Sequence, residues 1–89
     1  MPDSEIATTL TALDGWTREG DEIVKTYELP SFMDAITFVT RVAELAEGAD
    51  HHPDIDIRYR TVRIALSTHS DGGITQKDFD LAGAIEAIG

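Results

Sequence analysis

An α+β fold is predicted for this chain: a four-stranded antiparallel sheet with three helices on one face, in the order α-β-β-α-β-β-α. Three observations carry it. Two stretches, residues 16–29 and 54–68, alternate apolar and polar side chains around tight turns at Gly20-Asp21 and Arg60-Thr61, as hairpins do. Before, between and after them lie segments whose apolar residues recur at helical spacing. Each of those segments opens behind a serine, threonine or aspartate able to cap a helix. Two hairpins joined through a helix give an antiparallel sheet covered on one side.

The first helix is predicted over residues 4–13, where Ile6, Leu10 and Leu13 share a face behind Asp3 or Ser4 as N-cap. Gly15 ends it. In the first hairpin the second strand puts Ile23, Tyr27 and Leu29 on one side, and Pro30 closes it. Ser31, with Asp34 three positions on, starts a central helix predicted to run to about Glu47, with Gly48 as its stop. Its apolar residues fall into two stripes: Phe32, Ile36, Val39, Ala43 and Ala46, and beside them Phe38, Val42 and Leu45. That face is wider than one sheet contact needs, so part of it is expected to meet another subunit. In the second hairpin Ile55 and Ile57 alternate with charged residues, and Val62, Ile64 and Leu66 face the core. His69 has the opposite parity and is expected at the exposed strand end. After an Asp71-Gly72-Gly73 turn, Thr75 caps the last helix with Asp78 at its third position, and Ile74 and Phe79 form a hydrophobic staple. Ala82, Ile85 and Ile88 continue the core stripe.

The 89 residues fit a single domain over 1–89, enough for one core and for a shallow or shared pocket. Hydrophobic residues at 42% and charged ones at 27% are ordinary for a packed globule and argue against a disordered chain. The absence of cysteine rules out disulfides, thiolate catalysis and cysteine-ligated zinc. A formal net charge of −10 repels a phosphate backbone and an anionic lipid surface, so neither nucleic acid nor membrane is an expected partner. The acidic, polar start reads as neither signal peptide nor anchor, and a cytoplasmic location is expected.

All three histidines sit in two short segments, His51-His52-Pro53 and Ser67-Thr68-His69. Imidazole is the side chain that titrates near neutrality, so this concentration points to proton transfer. Pro53 disfavours helix at His52 and holds the backbone extended, where adjacent side chains point to opposite sides. His51 and His52 can then serve different edges of a ligand. Glu47 lies in the last turn of the central helix, where the macrodipole opposes a carboxylate, and a nearby imidazole would relieve that conflict. Asp78 has a sufficient role as a cap and can also touch a ligand. A metal site is disfavoured, because the histidines lack the spacing that places two imidazoles on one helix face.

These segments resemble the pterin-4a-carbinolamine dehydratase family. The matching residues are Gly15-Trp16, Thr40-Arg41-Val42-Ala43, Glu47, Asp50-His51-His52-Pro53, Tyr59, Val62, Leu66-Ser67-Thr68-His69, Gly73, Thr75, Asp78 and Leu81-Ala82. The resemblance implies the fold derived above and the dehydration of 4a-hydroxytetrahydropterin to quinonoid dihydropterin, with no cofactor and no metal. It implies that His51 and His52 are the acid/base pair, that His69 lies across the pterin, and that Glu47 and Asp78 position the histidines or the ring. Pro53, Ser67 and Thr68 would orient or bind substrate. A homodimer or homotetramer is expected. Ile55 stands where animal members carry an aromatic residue, so one wall of the site differs. The alternative reading is a non-catalytic pterin-binding or protein-assembly module on the same scaffold.

Overall fold

The computed structural model describes residues 1–88 and has the predicted order: α1 (Asp3–Leu10), β1 (Thr17–Glu19), β2 (Glu22–Glu28), α2 (Phe32–Ala49), β3 (Asp54–Arg58), β4 (Thr61–Leu66) and α3 (Gln76–Ile88), with a 3-10 turn at His69–Asp71 before α3. The sheet order is β1-β2-β4-β3 and every pairing is antiparallel. Central β4 pairs Ile64 with Lys25 on one side and Ile55 on the other. Directly opposed residues share a face, so Ile23, Val62, Ile64 and Leu66 meet the helices. They join Ile6 of α1, Phe38, Val42 and Ala46 of α2, and Phe79, Ala82 and Ile85 of α3 in one core. The other face carries Glu22, Thr26, Arg63, Asp54 and Asp56, and Val24 and Ala65 are buried on it.

The boundaries differ from the sequence reading in ways with physical causes. Helix α1 starts one residue earlier than predicted, behind extended Pro2, which makes no side-chain cap, and it ends at Leu10. Ser31 caps α2 as predicted, its hydroxyl accepting the Asp34 N–H at 3.1 Å. Gly48 does not stop that helix. The chain leaves it at Asp50, which adopts the left-handed conformation (φ 49°), and the His51 N–H donates to the Ala46 carbonyl at 3.0 Å. This is the closure of a Schellman motif with aspartate, tolerated in that conformation, where glycine is usual. The second hairpin turns at Tyr59-Arg60, one residue earlier than expected, with Tyr59 at φ 54°.

Of the two stripes on α2, the core takes Phe38 and Val42 from the second and Ala46 from the first, with Ala35, which belonged to neither. The rest of the first stripe is more open, with Phe32 46% exposed, Ala43 exposed and Ile36 and Val39 half-buried, and Met33 beside it is 68% exposed. No helix among the described residues is long and apolar enough to cross a membrane.

Candidate active site

The Asp50 turn leads from α2 into the irregular His51-His52-Pro53 segment, and the two imidazoles part company. His51 turns inward. Its Nε2 lies 2.5 Å from Oδ1 of Asp78 on α3, a carboxylate with no exposure to solvent. An ionised carboxylate only accepts, so this contact engages Nε2 and leaves Nδ1 as the ring nitrogen without a protein partner among the described residues. His52 points the other way, its Nε2 2.5 Å from Oε1 of Glu47 in the last turn of α2, and both side chains are exposed. The imidazole expected beside Glu47 is therefore His52.

Asp78 is held by its own helix. Its Oδ2 accepts the Thr75 N–H at 2.9 Å, the return bond of a capping box, while Thr75 Oγ1 accepts the Lys77 N–H at 3.3 Å. Thr68 Oγ1 donates to the same Asp78 oxygen at 2.9 Å and meets Thr75 Oγ1 at 2.7 Å. With its proton committed to Asp78, Thr68 accepts from Thr75, so the hydroxyls form a directed chain ending on one buried carboxylate. Capping and the orientation of His51 are thus two functions of one side chain.

His69 stands apart from these pairs. A bridge between Thr68 and Gly73 closes the loop that carries it, with the Thr68 N–H donating to the Gly73 carbonyl at 2.8 Å and the Gly73 N–H returning at 3.3 Å. Its exposed ring lines a cavity of about 490 Å³ with Ser67 and with Glu19, Asp21 and Glu22 of the first hairpin. The sequence reading missed these three carboxylates. No sequence signal marked them, because the register that sets Glu22 beside Ser67, with Ile23 opposite Leu66, joins strands of different hairpins.

A second, more apolar cavity of about 460 Å³ opens between α2 and α3, where Leu45, Leu81 and Ala84 line it together with His51 and Lys77. Pro53 is half-buried between the histidines and β3. Among the described residues no three histidine, aspartate or glutamate side chains converge tightly enough to hold a metal ion.

Away from these groups, Oε1 of Glu86 on α3 accepts Lys25 Nζ at 2.7 Å, Trp16 Nε1 at 3.0 Å and the Tyr27 hydroxyl. Burial raises the Glu86 pKa, and the three donors more than offset it, leaving the carboxyl below its ordinary value. Burial, and then the Glu86 carboxylate, push the Tyr27 phenol well above its ordinary value. No sequence motif announced this cluster.

Comparison with known proteins adds a family. The chain matches pterin 4 alpha carbinolamine dehydratase over residues 1–88. Proteins from Roseiflexus sp. strain RS-1 and Roseiflexus castenholzii are 60% and 62% identical over 88 residues, covering 99% of this chain and 95% of their own. Both carry the name pterin-4-alpha-carbinolamine dehydratase as an inferred assignment. Among solved structures, a transcriptional coactivator/pterin dehydratase from Brucella melitensis superposes with a TM-score of 0.95 at 34% identity, covering 99% of this chain and 96% of that one. A pterin dehydratase-like RuBisCO assembly factor of the α-carboxysome shares the fold at 20% identity and a TM-score of 0.67, over 82% of this chain and 84% of its own.

Proposed function

The chain belongs to the pterin-4a-carbinolamine dehydratase family, and from that membership we propose that it dehydrates 4a-hydroxytetrahydrobiopterin to quinonoid dihydropterin and water, recycling a hydroxylase's pterin in the cytoplasm. The observation that carries the reading is the pairing of each adjacent histidine with its own carboxylate, His51 with Asp78 and His52 with Glu47. Loss of the C4a hydroxyl as water needs one proton delivered to the departing oxygen and one removed from a ring nitrogen. Two oriented imidazoles supply both near neutral pH. A carboxylate partner orients each ring and stabilises its imidazolium: one ring, starting as imidazolium, gives the proton of its free nitrogen to the departing hydroxyl, and the other, starting neutral, takes the ring-nitrogen proton. His69 and Ser67 contact the ring or its side chain, Thr68 holds Asp78, and Pro53 keeps the pair divergent. No cofactor and no metal enters the scheme.

The working form is a homodimer or homotetramer. Exposed Phe32, Met33, Ile57 and Tyr59 and the unpaired outer edge of β3 support assembly. The second reading, an assembly module, has the name of the RuBisCO assembly factor behind it, but at 20% identity that likeness carries the fold alone. The two intact imidazole–carboxylate pairs favour the enzyme. Stopped-flow absorbance following enzymatically generated 4a-hydroxytetrahydropterin tests the proposal. Quinonoid dihydropterin should form faster than spontaneously, in proportion to protein concentration; a rate equal to the protein-free control would sink it.

A further inference from the structure

Ser67 is only 7% exposed, and its hydroxyl has no hydrogen-bond partner among the described residues. No fully shielded side-chain nitrogen or oxygen among those residues lacks a partner, so this hydroxyl keeps some contact with solvent, and the residue lines the cavity with His69. A nearly buried, unpartnered hydroxyl on a cavity wall awaits a polar ligand group. The opposite wall is the first hairpin. Its turn has Gly20 at φ 63° in the first central position, which keeps the link to two residues and holds Glu19 and Glu22 as a paired rung.

The charges on that wall are unequal. Glu19 accepts Arg63 Nη2 at 3.0 Å and is neutralised. Asp21 and Glu22 have no ion pair among the described residues: Arg18, which lines a cleft with Asp21, is spent on Asp3 at 2.8 Å and on the Gly20 carbonyl at 2.9 Å, and Arg63, on the same sheet face as Glu22, is spent on Glu19. The cavity therefore combines hydroxyl and imidazole on one side with two uncompensated carboxylates on the other. It has acceptors for hydroxyl and amino protons and repels anions.

Resting on the reading that His69 contacts the pterin, we propose that Ser67, Asp21 and Glu22 form the pocket for the substrate's side chain, selecting an uncharged, hydroxyl-bearing tail and rejecting a carboxylate- or phosphate-bearing one. Titration of the full chain with two unreactive oxidised pterins, L-biopterin and pterin-6-carboxylate, followed by quenching of pterin fluorescence, tests this without turnover. Wild type should bind biopterin at least about tenfold more tightly, the discrimination expected from one or two carboxylates several ångströms from an anion. In the Asp21→Asn/Glu22→Gln double variant that ratio should fall by about tenfold, chiefly through tighter binding of the carboxylate. Both positions are at the hairpin turn, and a melting curve checks the fold of the variant.

Equal affinities in wild type, a ratio unchanged in the double variant, or no binding of either pterin would each overturn the proposal. Ser67→Ala gives an independent arm, expected to weaken biopterin several-fold and leave pterin-6-carboxylate unmoved; equal weakening of both also overturns it. Dehydration by wild type is measured separately. Turnover with no tail discrimination defeats this inference and leaves the enzyme reading standing, whereas discrimination without turnover does the reverse.

Discussion

His51 and His52 are neighbours in sequence with opposite surroundings, and their variants should differ accordingly. Replacing either with alanine should slow dehydration by about 10²- to 10⁴-fold, the span of a single general acid or base, with the smaller loss where water or the other imidazole substitutes. Stopped-flow turnover measures it. Only His51→Ala leaves a buried Asp78 oxygen without its partner, so that variant alone should also lose about 1–3 kcal/mol in urea melts. Asp78→Asn replaces the acceptor of three hydrogen bonds and should cost about 2–3 kcal/mol, well above the ~0.3–1 kcal/mol of an exposed carboxylate near a helix N-terminus. Residue types, spacing and the effect of Pro53 made the divergence of the pair legible in the sequence, as did the Glu47 partner. The joining of Asp78 to His51 was not, because the contact spans 27 positions and depends on how α3 lies against the end of α2.

Helices and strands were legible where period and caps agreed, as at Ser31 and Thr75. They were misread where a special backbone conformation was taken by a residue other than glycine, at Asp50 and Tyr59. Periodicity also could not rank the two stripes of α2, since Phe32 and Ile36 are as apolar as the buried residues beside them. Besides the shared core, Glu86 ties α3 to β2 and to the segment before β1, and its lowered pKa gives this contribution its sign with pH. Because the folded value lies below the ordinary one, this contribution is present above the ordinary carboxylate range and lost as pH falls through the folded value. Tyr27 acts at the other end. Its raised value contributes below pH ~10 and is lost as the phenol ionises at higher pH. Melting temperature against pH should fall at both extremes, and Glu86→Gln should flatten the acid limb and, because burial is the larger cause of the Tyr27 shift, the alkaline limb only in part; an acid limb unchanged in that variant would remove the cluster from the account.

At the scale of the whole chain, the outward stripe of α2 and the open β3 edge predict association. Sedimentation equilibrium at micromolar concentration should give at least a dimer, and Phe32→Glu should shift it toward monomer. The net charge of −10 predicts that added potassium chloride raises the melting temperature, by about 4–8 °C for each ~1 kcal/mol of repulsion screened. The shared carboxylate of Asp78 also changes how a mutational survey of the chain is read. In a library sorted only for yield of folded protein, aspartate should persist at position 78 because it caps a helix, while position 51 drifts among polar residues that can still donate to it. Sorting the same library for turnover should freeze both positions. Selection on chemistry is therefore recorded at position 51, in the difference between the two sortings, while persistence at position 78 reports only that the protein can be made.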